Sequence, residues 1–459
     1  MGRKAFKAAG RCPVMRGLLV VALLLVAGCF ETATPVAVPG DGTEPDAPAK
    51  ARLAILETPR STFRSIVCDP ECIHRMTTAA TGPANEVMVA QDYTDPSFLL
   101  AAAKDYRVEA PDCVFPSVYA SRDGGRTWTD GYVRMRTPAS FATDRCESDP
   151  VVGFDGLGNG YLITLTLEEG LWTYKTSDHG ATWQEVAPAY EGRNDKNWMA
   201  TDYGKNRIYS ITRLTCTGQA VTYSDDQGAS WRGPFCWDGM DYAQIDVAPD
   251  GTAVAIGLGD GCMAWRASPD GEAWWHGGTV FDGPCPALRM SHQYRTPKLP
   301  DMGISIGTGS WHVVWHSGTD AEDEDIYYSA SFDNGTSWLE PIIVTADGEG
   351  NSQFVPAVHA GPAGDVHVIW FDARNDPTGH GHVVDVYYAH SPDGRSFEPN
   401  IRLTPTSFVP YLARHQSEPF FIGDYIGLTA SNTEAVAVFP TTGSGRAELH
   451  AVIIGGPAA

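Results

Sequence analysis

From about residue 82 onward, apolar and polar positions alternate in short runs, and β-branched and aromatic side chains fill the apolar places. That period of two is the mark of half-buried strands. The runs come in sets: three strands, a tight turn, then a fourth strand. The clearest set passes through Asp325-Ile326-Tyr327-Tyr328-Ser329-Ala330-Ser331 into a turn spelled Ser-x-Asp-x-Gly-x-x-Trp, ending at Trp338. In such a turn Asp333 can accept hydrogen bonds from backbone N–H groups. Gly335 can take a positive φ, and Trp338 can bury a large face as the chain returns. The same phrase recurs around Asp123 (Ser121–Trp128), Asp178 (Thr176–Trp183) and Asp226 (Ser224–Trp231). Two copies are one residue shorter, around Asp270 (Ser268–Trp274) and Asp393 (Ser391–Phe397). Six copies in phase, roughly 45–65 residues apart, predict a radial β-repeat.

The strands before each turn can be placed. Glu86–Ala90 and Phe98–Ala102 precede the first; Pro150–Phe154 and Gly160–Leu165 the second; Trp198–Asp202 and Arg207–Thr212 the third; Gln244–Ala248 and Thr252–Gly257 the fourth. Trp311–Trp315 and Val366–Trp370, nearly the same string, precede the fifth and sixth. After the last turn come Gly423–Leu428, Ala435–Phe439 and Glu448–Ile454, a seventh unit short of one strand. Residues 51–66, with Leu53-Ala54-Ile55-Leu56, are expected to supply it. Pairing the chain's two ends would leave that sheet no open edge. The prediction is an all-β propeller of four-stranded blades spanning 51–459, with seven blades favoured over six.

The repeated turn resembles the Asp-box of the sialidase-like β-propeller superfamily, over roughly residues 82–455. That resemblance implies the propeller fold and a structural role for Asp123, Asp178, Asp226, Asp270, Asp333 and Asp393. It does not choose an activity, because the superfamily holds sialidases, other glycosidases and binding proteins.

The first 28 residues have a basic start (Arg3, Lys4, Lys7, Arg11, Arg16) and a short apolar core, Leu18–Val26, which reads as an export signal. Val26-Ala27-Gly28-Cys29 resembles the lipobox of bacterial-type lipoproteins, implying cleavage before Cys29 and lipid on that thiol. Residues 29–50, rich in Pro, Ala, Thr and Gly, read as a flexible tether. The expected location is the outer face of a membrane or cell surface. The net charge is −23; residues 1–28 hold five Lys/Arg and no Asp/Glu, so the remainder carries about −28. Such a surface repels nucleic acid. A monomer is expected. Eight cysteines remain beyond Cys12 and Cys29, an even number that suggests disulfides in an exported chain. Chain proximity favours Cys68–Cys72, Cys113–Cys146, Cys216–Cys236 and Cys262–Cys285. No zinc-site spacing is evident. The acidic run Asp320–Asp325 offers oxygen ligands for calcium but fits no EF-hand loop. No cofactor or metal is expected, with calcium at the acidic run as the lesser alternative.

Asp-box turns would lie on one face, so the opposite face should carry any ligand site. There the central funnel should draw on Glu86, Asp149, Asn197, Arg295, Gln353, Asp424 and Tyr425. Asp372 and Arg374, beside Trp370 and Phe371, form the sharpest cluster; an Asp–Arg brace is its plainer reading. A sialidase needs three arginines for the substrate carboxylate, a tyrosine nucleophile with a glutamate, and an acid. Arg145, Arg295, Arg374, Tyr425 and Glu418 are the candidates. The family's Phe/Tyr-Arg-Ile-Pro signature is missing, since Phe63-Arg64-Ser65-Ile66 is not followed by Pro. The favoured expectation is a glycan- or protein-binding propeller without sialidase chemistry. The alternative is an exo-sialidase or other glycoside hydrolase working in the funnel.

Overall fold

The alternating runs fold as antiparallel strands because each blade buries both faces against its neighbours, and the pleat delivers apolar side chains to each face in turn. The computed structural model describes residues 72–77, 83–110, 113–133, 145–213, 218–259, 262–274, 276–282, 295–296, 299–318, 324–345, 351–378, 381–413 and 421–455. These form seven sheets. The innermost strands are β1 (Ala84–Gln91), β2 (Ser148–Phe154), β3 (Asp195–Asp202), β4 (Met240–Val247), β5 (Asp301–Ile304), β6 (Gln353–Ala360) and β7 (Gly427–Ala430). Each packs against the next, and β7 returns to β1, so they line the axis of a seven-bladed β-propeller. The core is divided between blades, with Trp311, Trp370, Tyr161 and Tyr388 among its fully buried side chains.

Ring closure differs in one detail from expectation. The outer strand of the seventh blade is Ile73–Arg75, paired with His450–Val452. Residues 51–66 lie outside the described residues. The two ends of the chain still close the ring, but with a strand only three residues long. Sequence gave it no signal, because Ile73-His74-Arg75 carries one apolar residue.

The six turns share one hydrogen-bond scheme. Around Asp333, Gly335 N–H donates to Ser331 Oγ (2.8 Å), Ser337 N–H to Asp333 Oδ1 (2.8 Å) and Ser337 Oγ–H to Asp333 Oδ2 (2.6 Å). Asp123, Asp178 and Asp226 repeat it with Thr127, Thr182 and Ser230. In the shorter turns Asp270 accepts from Glu272 and Ala273 N–H, and Asp393 from Arg395 N–H. Gly335 has φ +80°, and a Cβ there would sit 2.7 Å from Trp311. Trp338 is half-buried rather than enclosed.

The inner strands also depart from a regular pleat. In β1, β2, β3, β4 and β6 the register slips by a bulge two or three residues from the start. At each bulge one residue is left-handed: Glu86 (φ 50°), Asp149 (46°), Lys196 (46°), Tyr242 (50°) and Val355 (51°). A bulge re-aims a side chain, and a non-glycine residue is strained at such angles. The same irregularity recurs in five blades, always on the face opposite the Asp turns.

Candidate functional site: the funnel mouth

The first, second, third and seventh blades deliver charges to one place, joined by Arg295 from the segment between the fourth and fifth. Lys196, at the β3 bulge, is buried, and its ammonium lies 4.5 Å from the centroids of both Trp198 and Tyr425. Those rings meet edge to face, with centroids 5.6 Å apart. Among the described residues, no hydrogen-bond acceptor touches Lys196 Nζ. Two aromatic faces therefore hold the charge by cation–π attraction. Burial lowers its pKa, while Asp149, Asp424 and Glu86 act to raise it.

The carboxylates have partners of their own. Glu86 Oε2 is 3.5 Å from Lys104 Nζ. Asp424 pairs with Arg295, whose guanidinium also lies 4.8 Å over Phe421. Burial pushes Asp424 up to about 6, against the pull of Arg295. Asp149 accepts a 2.6 Å hydrogen bond from Ser148. Tyr425 donates its hydroxyl to Pro150 O at 3.3 Å, and burial, with Glu86 and Asp149 beyond it, holds its phenol well above the ordinary value. Glu86, Asp149 and Asp424 thus face Lys104, Lys196 and Arg295, a neutral set in a strongly acidic chain. Arg295 is the exposed member, with half its side chain open.

The other candidates lie apart from this set. Arg374 grips Asp372 through Nε and Nη2 (2.9 and 2.7 Å), and Trp370 Nε1 donates to the same carboxylate. Arg374 also stacks on Tyr387. That is the brace, not a free fork. Arg145 contacts Glu147 and Glu185 and lies 3.5 Å over Trp172, all within the second blade. Gln353 Nε2 donates to Asn351 O. Asn197 is buried, and its amide has no hydrogen-bond partner among the described residues. Glu418 and Cys29 lie outside the described residues, as do Cys68, Cys216, Cys285 and most of the acidic run Asp320–Asp325. Cys146 and Cys236 are disulfide-bonded; of the Cys113 side chain nothing is described. Cys72 is a thiol, and Cys262 is buried.

Sequence reasoning placed Asn197 in the funnel and its neighbour Lys196 only among the loop residues of that face, and it passed over Lys104 and Phe421. The bulge explains the first miss. A left-handed residue breaks the period of two, so the residue before the expected one turns to the axis. In the first three blades a charged residue, Glu86, Asp149 or Lys196, stands just before the inner apolar run, and that was the available signal.

No protein-family model matches the chain, and no curated protein matches it. Solved structures do resemble it. A protein of unknown function from Dyadobacter fermentans aligns over 85% of this chain and 98% of its own, at 12% identity and TM-score 0.46. An intramolecular trans-sialidase from Ruminococcus gnavus, solved with oseltamivir carboxylate, aligns over 85% and 97%, at 10% identity and TM-score 0.43. YCF48 bound to a D1 peptide aligns over 86% and 100%, at 14% identity and TM-score 0.45. These likenesses concern the fold.

Proposed function

We propose that this protein is a surface-displayed binding propeller, tethered by lipid on Cys29, whose funnel face docks a glycan or a protein segment without sialidase chemistry. The observation that carries this reading is the pairing of the arginines. Arg145, Arg295 and Arg374 each hold a carboxylate of the same chain, and two of the three do so within their own blades. A substrate carboxylate needs bidentate forks free to receive it. Tyr425 is equally ill-suited to attack a sugar: its hydroxyl is donated to a backbone carbonyl and its ionisation is opposed by burial. The Asp turns, all on the other face, fit the structural role of Asp-boxes.

The test is paired. A fluorogenic sialoside offered across pH 4–8 is expected to remain uncleaved, while an array of neutral and acidic glycans reports binding that Arg295→Ala weakens. Turnover abolished by both Arg295→Ala and Tyr425→Phe would replace this reading with the hydrolase. The anchor is tested separately: Cys29→Ala should leave the membrane fraction, and persistent lipid labelling of that variant refutes it.

A further inference from the structure

A second cluster sits on the Asp-turn side of the sixth blade, on the sheet surface that packs toward the seventh. Asp365, His367 and His390 are all buried, and their ligand atoms lie within 4.8 Å of one another. His367 Nε2 is 3.2 Å from Asp365 Oδ2, and His390 Nε2 is 3.6 Å from the same oxygen. In a tetrahedral site with bonds of about 2.05 Å, adjacent ligand atoms stand about 3.3 Å apart. The two distances bracket that spacing.

The fifth blade shows what the arrangement is without the extra groups. There Ser310 Oγ contacts His312 Nε2 (2.7 Å), and His312 Nδ1 contacts Tyr328 OH (2.7 Å). Tyr328 donates its proton to Gly394 O (2.8 Å). Its oxygen must then accept from His312 Nδ1–H, and Nε2 accepts from the serine hydroxyl. The sixth blade keeps the ring and the tyrosine, with His367 Nδ1 2.8 Å from Tyr388 OH. It replaces the serine donor by Asp365, which when ionised only accepts. It also replaces Ala330 by His390, whose Nδ1 faces Glu398 Oε2 at 3.1 Å. His390 Nδ1–H donates to the Glu398 carboxylate, which turns its Nε2 lone pair toward Asp365; His367 presents a second lone pair there in the tautomer whose Nδ1–H donates to Tyr388. In that state three acceptor atoms converge on one point, which a shared proton or a bound cation satisfies.

We infer that Asp365, His367 and His390 form a binding site for a divalent transition metal ion, zinc by the character of its donors. This departs from the expectation of no metal, which rested on thiol spacing. Two imidazoles and one carboxylate suit zinc. Tyr388 and Glu398 fix the ring orientations in the manner of outer-shell partners. Asp365 and His390 also line a cavity of about 390 Å³ with Thr308, Phe332, Asp393 and Glu398. That cavity adjoins the cluster, and the fourth position would be filled by water or another oxygen ligand.

The test uses the full purified chain, stripped with chelator, and titrated with Zn²⁺ and Co²⁺. One ion per chain is expected, with visible Co²⁺ absorption of tetrahedral or five-coordinate character and a raised melting temperature. His390→Ala restores the fifth blade's residue, so it should fold; it should lose at least about 100-fold in affinity. Glu398→Gln should lose about 10-fold, within the range for outer-shell partners. The inference is overturned if neither ion binds the wild type, or if His390→Ala binds as tightly as the wild type.

Discussion

Asp301 accepts a hydrogen bond from Val358 N–H at 2.7 Å, joining the inner strand of the fifth blade to that of the sixth. Asp246 does the same from the fourth blade to Ile304 N–H at 2.7 Å. Both line an axial cavity of about 160 Å³. Burial pushes Asp301 up to about 7 and Asp246 up to about 6, from an ordinary 3.8. A carboxyl whose folded pKa is raised stabilises the fold fully below the unfolded value. That contribution is lost as pH rises through the folded one. For Asp301 the window is pH 4 to 7. Three pH units correspond to about 4 kcal/mol, and the polar channel beside it trims this to roughly 2 kcal/mol. Buried His312 and His359, each pushed down to about 3 by desolvation, act in the opposite sense over much of the same range. The wild-type curve alone is therefore uninformative, and the difference between two proteins is what reports Asp301. Asn keeps a carbonyl for Val358 and never ionises. Urea unfolding at pH 4, 5.5, 7 and 8 should find Asp301→Asn equal to wild type at pH 4 and about 2 kcal/mol more stable at pH 8. A difference that does not vary with pH, or a variant less stable at pH 8, refutes the reasoning.

Lys196→Met removes two buried cation–π contacts and the longer-range attraction to Asp149, Asp424 and Glu86, and should destabilise the fold by about 2 kcal/mol. Adding Asp424→Asn should recover part of the loss; an unchanged denaturation midpoint at pH 7 in Lys196→Met would contradict the caged-lysine description. In the turns, Trp338→Ala should cost about 2 kcal/mol, below the range for an enclosed tryptophan because the ring is half-buried. Asp333→Ala should lower the melting temperature with no change in funnel binding, and the opposite pattern, binding lost at an unchanged melting temperature, would make the turn functional.

The blade repeat was legible because two local signals coincide in it. Alternation marks each strand, and Asp-x-Gly marks the turn whose N–H groups need an acceptor. The inner strands were legible only beyond their bulges: predicted starts at Pro150, Trp198 and Gln244 fall after the observed starts at Ser148, Asp195 and Met240. A left-handed residue leaves no trace in hydropathy, so the segment that builds the funnel mouth was the segment the pattern hid. The brace of Asp372 and Arg374 was readable because its partners are two residues apart. The pairings Arg295–Asp424 and Lys104–Glu86 cross 129 and 18 positions, respectively. Only ring closure brings the first together, and only the β1 register the second. The Asp365–His367–His390 cluster escaped notice because its members lie on different strands and match no sequential ligand motif.

The chain's excess of carboxylates does not make the funnel a negative well. Many of its aspartates serve as acceptors for backbone N–H groups. Asp123, Asp178, Asp226 and Asp333 do so in the turns, Asp246 and Asp301 across the inner strands. Those charges are committed to holding the ring. At the funnel mouth the remaining acids are balanced one for one. An anionic ligand reaching for Arg295 must displace Asp424 from it, and Asp424 would be left nearly buried beside Glu86 and Asp149. A buried carboxylate stripped of its partner is costly by several kcal/mol. A neutral polyhydroxylated chain or a peptide backbone makes no such demand. Its hydroxyls or amides can hydrogen-bond to the outer edges of Arg295 and Asp149 while the ion pairs stay closed. The electrostatics of the mouth therefore favour ligands that bind without taking an arginine away.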